Sequence, residues 1–327
     1  MGEPLRIGTR RSRLALWQAR QVAMLLEAAG AATELVGIDT AGDRVLDLAI
    51  GKIGDKGVFT KELEERLRTG EIHLAVHSAK DLPSSLPPGL EICAFAEREA
   101  AHDVLLCCRR GLDIDNPRIP LRVGSSSVRR IAFLKRVFSH LQVLNVRGNL
   151  QTRIGKMKSG LCDVLMLAGA GVGRMGYEHL VCREFSPELI PPPAGQGAIA
   201  VEVSLSLGAA RRRLIREAVN HPPTERAVVA ERAFLRVLQG GCSIPAFAHA
   251  EFCGDELRLD AGIISLDGQR LIRERGMGAA AASASLGETV GRRVLEKGGT
   301  EILRAIKEGR DRGSPTKQGE QGGIKGA

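Results

Sequence analysis

Three groups of residues combine side-chain type and spacing in ways that suit chemistry. In "HSAKDLP" the ammonium of Lys80 stands beside the carboxylate of Asp81, and Pro83 prevents a helix from continuing two residues on. Neighbouring charges of this kind are commonly surface pairs. At the end of a strand, however, Asp81 could stabilise a developing cation or move a proton while Lys80 binds an anion. Arginines recur where strands are predicted to turn into helices: Arg10 and Arg11, Arg129 and Arg130, Arg147, Arg153 and Arg174. A guanidinium grips carboxylate or phosphate through two parallel hydrogen bonds, and a nearby helix N-terminus adds backbone donors and a favourable dipole. One such arginine is ordinary surface charge; several around one cleft would hold a polyanion. In "QGGCSIP", Cys242 follows a helix stop and sits on a turn, where a thiol can meet an electrophile. Most free cysteines are instead small buried hydrophobes. His249, the only nearby histidine, has no obvious orienting partner for a Cys-His nucleophile.

The elements that must position these groups follow from hydrophobic patterning. A strand from Leu5 to Gly8 runs into "TRRS", and a helix follows with Ser12 as its N-cap and Gly30 as its stop. "GKIGDKGVF" (51–59) reads as a mobile loop before a helix over 60–69. "EIHLAVHS" is a strand that delivers Lys80 and Asp81 into a loop. The rhythm then repeats: "DVLLCC", "LRVG", "LQVLNV" and "CDVLMLA" are strands, three of them ending at "SSSVRR", "RGN" and "GAGVGRMG". Alternation of this kind implies largely parallel α/β sheets with ligands beyond the strands' carboxyl ends. "IPPPAGQGAIAVEV" reads as a stiff crossover and a strand returning to the first sheet. After about His221 come a long Ala/Arg/Glu helix, several strands and a last helix near 289–308, as in a smaller α+β domain. The Gly-rich polar stretch from Gly309 is expected to be disordered. "GVGRMG" matches the dinucleotide fingerprint only formally, because no strand ending in Asp or Glu follows at the required distance.

The totals bound the function classes. A chain of 327 residues can hold two or three domains, and an aromatic fraction of 3% gives it aliphatic cores. Forty-seven Lys and Arg against 38 Asp and Glu give a formal charge of +9, which favours an anionic partner. So few aromatic platforms count against single-stranded nucleic acid. Seven irregularly spaced cysteines fit reduced thiols, and scattered histidines give no metal-site spacing. No membrane span or signal sequence is evident, so an intracellular soluble protein is expected.

In order along the chain, "TRRSRLALWQA", "GDKGVFTKELE", "AVHSAKDLP", "GSSSVRR", "RGNLQTR", "PPAGQGAI" and "ERAFLRVLQGGCSIP" closely resemble the porphobilinogen deaminase family, over about residues 5–305. The resemblance implies two periplasmic-binding-protein-like α/β domains, 1–97 with 196–217 and 98–195, flanking an active-site cleft. It also implies an α+β domain, 218–308, and a tail, 309–327. Cys242 would carry a covalent dipyrromethane cofactor through a thioether, as an anchor rather than a turnover nucleophile. The activity implied is the head-to-tail joining of four porphobilinogen molecules into hydroxymethylbilane with release of ammonia, by a cytoplasmic monomer that uses neither metal nor nucleic acid nor membrane. Residue by residue, Asp81 would be catalytic. Lys80, Asp81, Ser127, Arg129, Arg130 and Arg153 would hold the cofactor, Arg10, Ser12, Arg147 and Arg174 the substrate, with Lys56 and Phe59 as lid contacts. Arg13 and Ser125 depart from the commoner proline and threonine. A non-catalytic anion-binding protein with the same cleft is the alternative; a basic nucleic-acid binder is a third.

Overall fold

The computed structural model describes residues 3–40, 60–109, 111–240 and 244–312. Lys56, Phe59 and Cys242 lie outside these residues, as does the expected loop 51–59. In the first third, β1 (Leu5–Arg10), β2 (Thr33–Ile38), β3 (Leu74–Ser78) and β4 (Leu90–Phe95) belong to one sheet. A second sheet holds β5 (Asp103–Cys107), β6 (Arg122–Gly124), β7 (Gln142–Leu144), β8 (Val164–Ala168) and β9 (Val181–Glu184) in the order β7-β6-β8-β5-β9. The chain then returns through "PPPAGQG", and β10 (Ile199–Ser204) inserts into the first sheet, giving β2-β1-β3-β10-β4.

The expectation of largely parallel sheets holds only for β2-β1-β3 and β7-β6-β8. β10 runs antiparallel to β3 and β4, and β5 antiparallel to β8 and β9. The reason is where the chain enters. β10 starts opposite Ser78, the last residue of β3, and β5 starts opposite Ala168, the last residue of β8. A strand that enters a sheet at its neighbours' carboxyl ends can only run back against them. The chain therefore crosses between the two sheets, and back, where their carboxyl-end loops gather.

Helices begin where the chain supplies caps. α1 (Arg13–Ala28) follows Ser12, whose Oγ accepts from Ala15 N at 3.3 Å, and it buries Ala15, Ala19, Val22, Ala23 and Leu26. α2 is Lys61–Thr69. α3 (Val128–Val137) is capped by Ser127 and α4 (Leu150–Lys158) by Asn149, whose Oδ1 accepts from Thr152 N at 2.9 Å. α5 (Gly169–Arg174) opens before "GVGRMG", so the first glycines of that match lie inside the helix rather than in a loop ahead of it. α6 (Ala209–Val219) follows β10.

The third unit packs α7 (Pro222–Val237) and α8 (Ser283–Val294) on the antiparallel sheet of β11 (Ala246–Cys253), β12 (Glu256–Ile264) and β13 (Leu271–Ala279). Gly287 and Gly291 let the two helices touch: a Cβ on Gly287 would stand 2.1 Å from Ala230 O, and one on Gly291 would stand 2.8 Å from Val237 Cβ. The expected single last helix is instead two, because Gly298, at φ 111°, separates α8 from α9 (Thr300–Arg312). That last helix also corrects the expected disorder from Gly309, as it continues to Arg312.

Glu231 ties the third unit to both connections between the sheets. Fully buried on α7, it accepts from Arg98 Nη1 at 2.6 Å, from Gly195 N at 2.7 Å and from Ala250 N at 2.8 Å. Where the connections pass, Gly197 (φ 89°) leaves no room for a side chain, since a Cβ there would lie 2.4 Å from Glu99 O.

Candidate active site

Two adjoining chambers open where the carboxyl ends of the sheets meet, sharing Leu14 and Ser78. Arg10, Ser12, His77 and Asp81 line the first, with about 410 Å³ of empty space. Lys80, Arg130, Arg153 and Arg174 line the second, with no carboxylate among its described lining residues. Neighbours in sequence thus face different chambers: Lys80 turns to one and Asp81 to the other. The turn that separates them is a single 3-10 turn, Ala79–Asp81, rather than the plain loop expected.

The first turns of α1, α3 and α4 supply Leu14, Arg130, Leu150 and Arg153 to the second chamber. Their positive ends converge with the side-chain cations, a setting suited to anions. This crowding appears in the titration of the bases. Burial pushes Lys80 down to about 8, Arg130 pushes it further the same way, and Asp81 and Asp103 oppose. Burial likewise pushes Arg153 down to about 10, helped by Arg130 and opposed by Asp81. Bound carboxylates would oppose the effect of burial on these cations and favour their charged forms.

Beneath the chambers lies a buried acid that sequence reading missed. Asp103, the first residue of β5, accepts from Arg129 Nη2 at 2.5 Å and from Arg130 Nη2 at 2.8 Å. Burial pushes its carboxyl up, but the two guanidiniums outweigh burial and hold it well below the usual carboxylate range. Gln196, buried on the return connection, donates to Asp103 Oδ1 at 2.8 Å and to Ala101 O at 2.6 Å. Its Oε1 accepts from Lys80 Nζ at 3.2 Å and from Arg130 Nη2 at 3.5 Å. One amide therefore links the first sheet's cation to the second sheet's acid. A buried Asp opening an apolar strand and a Gln between two glycines were the available signals.

The sequence-selected residues do not all meet. Arg10, Ser12 and Asp81 share one chamber, and Lys80, Arg130 and Arg153 the other. Arg174 joins the second group and is held by Glu99 Oε1 at 2.9 Å, Gly197 O at 2.8 Å and the Trp17 ring at 5.4 Å. Ser127 caps α3, its Oγ 3.5 Å from Arg130 N. Arg129 lines neither chamber: its Nη1 donates to Pro191 O at 2.7 Å and its Nη2 to Asp103. Arg147 is also outside both linings, with Nε 3.3 Å from Asn145 Oδ1. Among the described residues no group of three or more His, Cys, Asp or Glu is placed to hold a metal, and no helix is long and apolar enough to cross a membrane.

Comparison with known proteins agrees with this geometry. The family model described as "Porphobilinogen deaminase, dipyromethane cofactor binding domain" matches residues 5–209, and "Porphobilinogen deaminase, C-terminal domain" matches 226–296. The chain is 49% identical to the porphobilinogen deaminase of Desulfosudis oleivorans over 303 residues, covering 93% of this chain and 98% of that one. It is 46% identical to that of Cytophaga hutchinsonii over 309 residues, covering 94% and 99%. Among solved structures, the periplasmic VFT2 domain of Bordetella pertussis BvgS aligns with 65% of this chain and 86% of its own at 14% identity and a TM-score of 0.41, too slight a likeness to bear on function. The chain belongs to the porphobilinogen deaminase family.

Proposed function

We propose that the two chambers divide the labour of this family's reaction, with Asp81 stabilising charge in one and Lys80, Arg130 and Arg153 holding acid groups in the other. The enzyme is a transferase that joins porphobilinogen units head to tail with loss of ammonia, on a dipyrromethane cofactor. The observation that carries the division is the difference between the linings: four cations without a carboxylate among the described residues on one side, Asp81 together with Arg10 on the other. Porphobilinogen and dipyrromethane bear acetate and propionate groups, so the cation-lined chamber fits the cofactor. When bound, the dipyrromethane supplies the pyrrole end from which the chain grows.

Asp81 faces the positive charge that develops on a pyrrole as ammonia leaves, and its carboxylate lowers the energy of that charge in a partly dry site. Arg10 and Ser12, in the same chamber, orient the incoming acid groups. Arg174 borders the cation-lined chamber, and Arg147, which lines neither chamber, is assigned to the substrate's acid groups from the stretch after β7. Arg129 and Ser127 act from behind, fixing Asp103 and the first turn of α3. Cys242 carries the cofactor thioether, and the protein works as a cytoplasmic monomer whose units are 1–97 with 196–217, 98–195 and 218–308. A purely anion-binding role is the weaker reading, because an anion site gains nothing from a carboxylate at Asp81.

Intact mass with peptide mapping tests the assignment of the anchor. The purified protein is expected to exceed its polypeptide mass by one dipyrromethane on Cys242, and Cys242→Ser to show the polypeptide mass alone. Wild-type protein of bare polypeptide mass that still makes bilane would falsify the scheme.

Lys80 gives a second test, by NMR of the reductively methylated side chain. In protein prepared without cofactor its midpoint is expected near 8, rising toward the ordinary 10.5 on loading, since nearby carboxylates favour the charged amine. An unchanged midpoint on loading would mean that Lys80 does not meet the cofactor's acids.

A further inference from the structure

Behind the chamber of Asp81 lies a polar pair to which the chemistry above gives no task. His77, on β3, lines that chamber, and its Nε2 stands 3.1 Å from Glu202 Oε2 on the adjacent β10. The register sets His77 opposite Ala200, so Glu202 is its diagonal neighbour on the same face of the sheet. Glu202 is 0% exposed, and neither of its oxygens has a hydrogen bond among the described residues; the 3.1 Å approach is off the line of an N–H···O bond. A buried carboxylate left this way is costly to the fold, so stability alone does not account for it.

The other charged groups facing this pair come from α2 and α7. Burial pushes the Glu64 carboxyl up and the charge of Glu202 adds to the effect, against a 2.6 Å hydrogen bond from Thr60 Oγ1. Burial and Arg236 push Arg232 down to about 10 while Glu202 opposes, and Arg232 Nη2 donates to Pro83 O at 2.7 Å. Thr60 lines the same chamber as His77. Two buried carboxylates therefore stand one contact behind the chamber wall, Glu202 through His77 and Glu64 through Thr60.

We infer that His77, backed by Glu202, accepts the proton displaced from the pyrrole α-carbon once each new carbon–carbon bond has formed and passes it to the ammonia already released. This rests on the reaction assigned above. In each cycle the substrate's protonated aminomethyl group loses its C–N bond, the electron pair leaving on nitrogen as ammonia; the C–C bond then forms at the freed methylene, and the α C–H bond breaks last. The proton moves to the imidazole and departs with the ammonia as ammonium, so atoms and charge balance. Asp81 cannot serve both ends of this sequence at once, because a protonated carboxyl no longer stabilises a cation. A second base in the same chamber separates the two tasks.

The test uses cofactor-loaded wild type, His77→Gln and Glu202→Gln. Both variants are expected to lose about 10- to 100-fold in kcat with KM little changed, a proton-transfer loss at or below the usual range. Porphobilinogen deuterated at its free α-carbon is expected to reveal a primary isotope effect in the variants that the wild type masks. In Glu202→Gln the acid limb of kcat/KM is expected to move to lower pH, because the proton-accepting ring has lost its carboxylate neighbour. Variants with wild-type kcat overturn the inference, as do variants whose isotope effect and pH profile are unchanged despite lost activity. If neither variant folds, His77→Asn takes their place, and a wild-type kcat and isotope effect there overturn the inference. Wild-type protein that forms no bilane defeats the reaction assignment instead.

Discussion

Asp81→Asn is expected to lower bilane formation by about 10²- to 10⁴-fold while leaving the protein folded and its KM within a few-fold. The substitution keeps the shape of the side chain at the end of the 3-10 turn and removes only its charge. An amide oxygen can accept a hydrogen bond from a pyrrole N–H, but it cannot offset a full positive charge on that ring. The effect reaches the second chamber too, since Asp81 opposes the downward push on both Lys80 and Arg153. Without it those bases sit lower still, and acid-group binding in the neighbouring chamber weakens modestly. Ammonia release measured beside melting temperature and cofactor content separates the cases. Near-normal release from loaded, folded Asp81→Asn would remove the residue from its assigned role.

What could be read directly from the chain was local. Ser12 announces a helix start because a cap acts on N–H groups two or three residues away, and the structure finds it there; the same local device at Ser127 and Asn149 was not picked out in advance. Lys80 and Asp81 could be placed at a strand end because Pro83 forbids a helix beyond them. The residues that join the units were not legible. Gln196 and Asp103 are 93 positions apart, and Arg98 and Glu231 are 133 apart. No periodicity links such positions; only the return of the chain to the first sheet at β10 and the docking of the third unit bring them together. The antiparallel insertion of β5 and β10 was hidden for the same reason, as an apolar run such as "AIAVEV" reads alike in either direction. Arg129 shows the limit of motif reading from the other side: next to Arg130 in sequence, it turns to Asp103 and Pro191 rather than into a chamber.

The acid that sequence reading missed carries the largest expected effect on stability. Asp103→Asn leaves Arg129 and Arg130 buried without their counter-charge, and breaking a buried pair from one side costs about 3–5 kcal/mol. Asparagine is close in size, so the loss is electrostatic rather than a cavity. Acid titration distinguishes the two. In the wild type the folded carboxyl lies far below its unfolded value of 3.8, so at low pH the unfolded chain binds the extra proton. The stabilisation is full above that value and is lost progressively as pH falls beneath it toward the folded one. Urea unfolding is therefore expected to show a large stability gap between wild type and Asp103→Asn near neutrality, narrowing below about pH 4 as the wild-type carboxyl takes up its proton. A gap that stays constant with pH would assign the cost to shape rather than charge. Because Gln196 Nε2 donates to Asp103 and its Oε1 accepts from Lys80, the same variant is also expected to loosen Lys80 and lower cofactor occupancy. The acid that keeps two arginines in the interior thereby also fixes the distance between the two sheets' contributions to the site.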